Sequence, residues 1–163
     1  MSRSDYCDDG DQWGLIRWRG AVNSAIKGRR GQAFLEELLA ALDALPEKKL
    51  IAEDLEREGA VCAIGAVGKA RGMDMSALDP GNSDRVASVF GIAPAMAREI
   101  VYVNDEWGSY KQTPEERWAR MRKWAKDEIW AARGCVADPY GQRPAPRMAH
   151  YPFWLTVINW NEG

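Results

Sequence analysis

Three kinds of side chain in this sequence suit covalent chemistry together: the thiol of Cys62, the imidazole of His150, and the amide of Asn104 or carboxylate of Asp105. A thiolate attacks an acyl carbon once an imidazole has taken its proton, and an amide or carboxylate holds that imidazole in the right orientation. Cys62 lies in EGAVCAIGAVGKARGMD, residues 58–74, which carries almost no polar side chain before Lys69. His150 is the only histidine. One reading is therefore a cysteine-dependent enzyme using Cys62 and His150, with Asn104 as the orienting group. The competing reading is inert, because a free cysteine is among the most buried residue types and behaves as a small apolar side chain. A helix start at Cys62 would favour the thiolate through the dipole, yet the inert reading suits the apolar surroundings better.

The same stretch does not cradle a phosphate. A phosphate-binding loop needs GxxxxGK followed by Ser or Thr, and Gly65, Gly68 and Lys69 give only GAVGKA, without that spacing or the magnesium-binding hydroxyl. Its glycines read instead as points of close backbone approach in a small-residue helix. Cys7, Cys62, Cys135 and His150 lack zinc-ligand spacing. Asp5, Asp8, Asp9 and Asp11 lack the EF-hand pattern and its closing Glu. Neither a metal nor a cofactor is expected.

DRVASVFGIAPAMAREI, residues 84–100, offers a different function. An apolar helix, a glycine-led turn and a second helix at this spacing are similar to a helix-turn-helix, with Ala87, Gly91 and Ile100 at the positions such a corner needs. Arg85 and Arg98 would be its nucleic-acid contacts, beside Glu99. The electrostatics are poor for that role: the net charge is −2 and the sequence pI about 5.5, whereas DNA binding needs a large basic footprint.

Eight tryptophans are the compositional outlier. Tryptophan is bulky, amphipathic and enriched where proteins meet. The helix after TPEE carries Trp118, Arg120, Lys123 and Trp124, and the C-terminal stretch adds Phe153, Trp154 and Trp160. These form the candidate partner-binding surface.

The elements that must position these groups are mainly helical. Residues 1–11 read as a loose acidic arm. Asp11 caps a helix through Trp13, Trp18, Val22 and Ile26, broken by KGRRG. Phe34, Leu35, Leu38, Leu39, Leu42 and Leu45 recur at helical spacing between Gly31 and Pro46. Leu50 and Ile51 suit a short strand or a helix start. Ser83 or Asp84 caps a helix with Val86, Val89 and Phe90 inward, stopping at Gly91. Pro94 opens the next, with Met96, Ala97, Ile100 and Val103 as its stripe. Asn104, Asp105 and Glu106 read as a helix stop and capping loop. Thr113, Pro114 and Glu116 form a capping box for a helix to Arg133, halted by Gly134. Four prolines make residues 135–152 irregular, and FWLTVINW, residues 153–160, has strand composition. The expected architecture is a compact helical domain of four to six helices over residues 12–134. Residues 135–163, with a minor β element, pack on it.

LEREGAVCAIGAVGKARGMDM, VASVFGIAPAMAREIVYVNDE and TPEERWARMRKW together resemble a group of small proteins encoded by bacteriophages and prophages. The resemblance covers roughly residues 20–130, the scale of one domain. It implies a setting in a bacterial host cytoplasm and a mode of action through a host protein or complex, such as an antiviral defence assembly. It brings no catalytic residues with it. The sequence has no apolar run of 18 residues and no secretory h-region, which agrees with a cytoplasmic reading, as does an odd cysteine count.

Overall fold

Leu35, Leu38 and Leu42 are completely buried along one face of a central helix, each stabilising the fold by about 2 kcal/mol through burial. The structure, a computed structural model, describes residues 12–108 and 112–133. The expected arm 1–11, Cys135, His150 and the strand at 153–160 lie outside the described residues. Within them the chain is mainly α, with six α-helices: α1 Gln12–Lys27, α2 Arg29–Ala44, α3 Ala63–Ala70, α4 Ser83–Phe90, α5 Pro94–Val101 and α6 Pro114–Arg133. A two-stranded hairpin, β1 Glu56–Arg57 and β2 Ala60–Val61, precedes α3, and a π-helical turn, Tyr102–Glu106, continues α5. The central helix α2 packs against α6, α3 and α1, while α5 packs against α4, α1, α3 and the π-turn.

The expected periodicities set most of the core. Val86, Ala87 and Phe90 of α4, Met96, Ala97 and Ile100 of α5, Val103 of the π-turn, and Met121, Ala125 and Ile129 of α6 are all buried. Phe34 and Phe90 meet edge to face at 6.4 Å and join α2 to α4. The capping box forms as expected: Thr113 N donates to Glu116 Oε2 at 2.9 Å, and Glu116 N donates to Thr113 Oγ1 at 3.2 Å.

Several boundaries differ. KGRRG does not break the helical path for its full length, since α2 starts at Arg29 and only Gly28 separates it from α1. Gly31 is buried inside α2 because the helix crosses the end of α1 there. A Cβ at Gly31 would stand 2.0 Å from the Ala25 carbonyl oxygen. Leu50 and Ile51 form no strand; the strand pair lies later, across a turn in which Glu58 and Gly59 both have positive φ, 53° and 82°. Asn82, rather than Ser83 or Asp84, caps α4, its Oδ1 accepting from Arg85 N at 2.9 Å.

The glycines around Cys62 serve geometry. A Cβ at Gly65 would meet the Leu55 carbonyl oxygen at 1.9 Å, and one at Gly68 would meet Met75 Sδ at 2.2 Å. These small residues let the preceding loop and Met75 lie directly on α3.

Candidate functional site

Cys62 occupies the N-cap of α3, in extended backbone, and its Sγ accepts from Gly65 N at 3.4 Å. The residue is 6% exposed. Asn104, 2% exposed on the π-turn, reaches the same helix start: its Oδ1 accepts from Ala63 N at 3.2 Å. Its Nδ2 donates to the Ile51 carbonyl at 2.9 Å and to Asp105 Oδ1 at 2.6 Å. Asp105 Oδ2 in turn accepts from Glu53 N at 3.3 Å. The structure therefore brings Cys62, Asn104 and Asp105 together, as the catalytic reading requires, while His150 lies outside the described residues.

What the cluster lacks is room. Cys62, Ser83, Asn104 and Asp105 line one small cavity with Leu55 and Ile100, and its volume is about 10 Å³. A cavity needs roughly 10–15 Å³ to hold a single water, so no substrate reaches the thiol in this conformation. Both N–H groups of the Asn104 amide are spent on the Ile51 carbonyl and Asp105, and its oxygen already accepts from Ala63 N, so the side chain is held by the fold from both ends. In the described conformation the geometry is that of a bracket tying loop 50–55, α3 and the π-turn.

The bracket continues into α6. Arg117 donates from Nε to the Asn104 carbonyl at 3.0 Å and from a terminal nitrogen to the Leu50 carbonyl at 2.9 Å. Arg120 donates to the carbonyls of Val103 and Asn104, both at 3.0 Å, and also to the Gln112 side chain. The last carbonyls of a helical run have no partner within it and form the negative end of its dipole, so two guanidinium groups suit them. Burial, and then the neighbouring Arg117 charge, work against the Arg120 charge; Asp105 and Glu116 favour it.

Much of the aromatic and basic surface expected on α6 is occupied within the molecule. Trp124 is a core residue at 8% exposure. Trp118 packs partly buried on the core, donating from Nε1 to the Leu42 carbonyl at 3.0 Å, with Lys48 and Arg122 over its ring at 5.7 and 5.9 Å. Arg120 serves the π-turn. Lys123 is exposed and pairs with Asp127 one turn on. Phe153, Trp154 and Trp160 lie outside the described residues.

The α4–α5 corner has the expected shape. Residues 91–93 join the helices, Gly91 adopts a left-handed φ of 73°, and the two arms bend by 111°. Ala87 and Ile100 are buried where the arms cross. Arg85 is exposed, whereas Arg98 sits 3.3 Å from Asp84, and Glu99 faces inward at 6% exposure instead of outward towards a groove. Two further features lie outside the expected surfaces. Trp13 and Ile16, at 73% and 57% exposure, are the exposed large hydrophobic side chains among the described residues, one turn apart on α1. Glu99 falls between Met96 and Val103 on the buried stripe that runs from α5 into the π-turn, a spacing that points it inward.

No protein-family model matches the chain, and comparison with curated proteins and with solved structures gives no match either. Among the described residues, no single helix is long and apolar enough to cross a membrane, and no group of three or more His, Cys, Asp or Glu side chains is gathered to hold a metal ion.

Proposed function

We propose that the protein is an accessory binding protein that acts by docking on a protein partner, with the outer stripe of α1 as its contact. The observation that carries this reading is the exposure of Trp13 and Ile16 on one helical face, where Gly20 follows with open space around its Cα. Large apolar side chains exposed side by side mark interaction sites, and tryptophan leads the residues on which binding energy concentrates. The glycine lets a partner's backbone approach closely. The resemblance to phage-encoded proteins suggests the class of partner: a bacterial host protein or complex, which the protein would inhibit or redirect, an antiviral defence assembly being one such target.

The test is affinity capture from bacterial lysate with the full chain, at low and high salt and after nuclease treatment, beside the double variant Trp13→Ser, Ile16→Ser. The reading expects a stoichiometric protein that survives both treatments and is lost from the variant, whose helical content stays unchanged. Equal capture by the folded variant would remove α1 as the contact.

A second reading, a helix-turn-helix DNA-binding regulator, is favoured by the 111° corner at Gly91. Its weakness is charge. Arg85 and Arg98 neutralise at most two phosphates, which gives a salt slope of only about −2 and weak binding at physiological salt. Duplex DNA captured at low salt, released by salt and lost on Arg98→Glu, would move the function to this corner.

A further inference from the structure

The charges of α1 and of the start of α2 are all of one sign. Residues 12–35 hold five of the 22 Lys and Arg side chains, Arg17, Arg19, Lys27, Arg29 and Arg30, and none of the 24 Asp and Glu. Arg17 and Arg19 already interact within the chain. Lys27, Arg29 and Arg30 are exposed around Gly28, the single residue between the two helices. Among the described residues no carboxylate stands within ion-pair distance of these three, whereas Arg71, Arg98, Arg122 and Lys123 each have one. Lys27 acts only from a distance on the partly buried Glu128 of α6. Like charges gathered at one end of a surface repel one another, and a partner of the opposite sign is drawn to them and held in register.

These cations close a stripe that the exposed apolar pair opens. Trp13, Ile16, Gly20, Ser24 and Lys27 follow at steps of three or four residues, which sets them on one face of α1, and all five are exposed. From Trp13 to Lys27 the stripe runs about 21 Å at 1.5 Å per residue. Trp13 makes interactions of its own and still shows 73% of its surface. At Gly20 an added Cβ would meet nothing within 4 Å, so the middle of the stripe is low and open. A second helix can lie close across such a middle. Its complement is a helix with apolar side chains at one end and carboxylates about four turns away. Other occupants fit less well. A second copy brings no acid to either end of the stripe. Nucleic acid has no use for Ile16, and three phosphate contacts give a salt slope of only about −3. A membrane surface needs a broad apolar face, but Val22 and Ile26 of α1 are buried in the core.

Resting on the reading of α1 as the contact, we propose that the partner presents an acidic amphipathic helix. Its apolar side chains cover Trp13 and Ile16, and its carboxylates lie over Lys27, Arg29 and Arg30. The two ends do different work. The apolar end holds the complex at high salt, since its burial does not depend on ionic strength. The charged end speeds the encounter at low salt and fixes which way the helix lies along α1.

The experiment selects binders to the full chain from a display library of single helices whose outward face is randomised. Clones are kept when they lose binding to the folded double variant Trp13→Ser, Ile16→Ser. These clones are expected to carry carboxylates at the end away from their apolar residues. They are also expected to bind the triple variant Lys27→Glu, Arg29→Glu, Arg30→Glu more weakly by about tenfold or more at low salt, and by less at high salt. Changing the carboxylates of a clone to lysine then restores binding to the triple variant, which a misfolded variant could not give. Clones that need Trp13 and Ile16 but show no excess of acid, or that bind the triple variant as tightly as the natural chain, overturn the acidic helix and leave α1 as the contact. A selection with no clone that needs Trp13 and Ile16 overturns the contact itself. Three probes check the other occupants: single-stranded oligothymidine, phosphatidylserine vesicles, and sedimentation of the chain alone. Oligonucleotide or vesicle binding tighter than that of the clones and lost in the triple variant, or self-association lost in the double variant, overturns the acidic helix in favour of that occupant.

Discussion

Asn104 and Glu99 lie on one continuous helical run, both nearly buried at 2% and 6% exposure, and the fold treats them in opposite ways. Asn104 has each end of its amide bonded, to Ala63 N, the Ile51 carbonyl and Asp105. Glu99 keeps a carboxylate oxygen with no partner and faces a second acid. Satisfied polar groups specify one arrangement of the chain, while an unsatisfied one marks where the structure stores a cost. The first region thus reads as structure, although its residue types look catalytic. The second reads as a stored cost, although glutamate in a helix attracts no notice in a sequence.

Removing the satisfied group has the largest expected effect. Asn104→Ala leaves the Ala63 amide and the Ile51 carbonyl buried and unpaired, at roughly 1–3 kcal/mol each, so denaturant unfolding is expected to show a loss of about 4 kcal/mol at every pH. A loss below 1 kcal/mol would mean that the bracket does not hold the loop, α3 and the π-turn together.

Glu99→Gln sharpens the comparison because its sign is reversed. Burial, and then the neighbouring Glu128, push Glu99 up to about 7. The amide cannot ionise, so the variant is expected to be more stable than the natural chain by about 3 kcal/mol at pH 8 and nearly equal to it at pH 4.5. Thermal or denaturant unfolding at the two pH values measures this difference. A variant less stable than the natural chain at pH 8 would place Glu99 among satisfied groups.

The smallest effect is expected at the residue that looks most reactive. Cys62→Ser keeps a side-chain acceptor at an N-cap, the position serine favours, so stability is expected to change by less than about 1 kcal/mol. Partner capture should not change either. Rapid alkylation of native Cys62 at neutral pH, together with loss of function in Cys62→Ser, would restore the nucleophile reading.

The sequence displayed what depends on local chemistry. The capping box at Thr113, Pro114 and Glu116, the leucine stripe of α2 and the glycine turn at Gly91 each follow from residues close together in the chain. What it hid depends on partners far away. The hairpin at 56–61 turns through Glu58 with positive φ, a conformation glutamate rarely signals. The π-turn at Tyr102–Glu106 persists where a capping loop is expected, because Arg117 and Arg120 on α6 satisfy its carbonyls. Arginines that read as a basic surface are hydrogen-bond donors to a helix end, and Trp124, which reads as an interface residue, fills the core.

Hydrogen exchange at pH 5 and pH 8, corrected for the intrinsic rates, tests the contrast between the two regions most directly. The account predicts that the amides of Ile51, Cys62 and Ala63 keep the same protection at both pH values while those of α5 around Glu99 lose protection at pH 8. Equal loss in both regions, or an α5 whose protection does not change with pH, would contradict it.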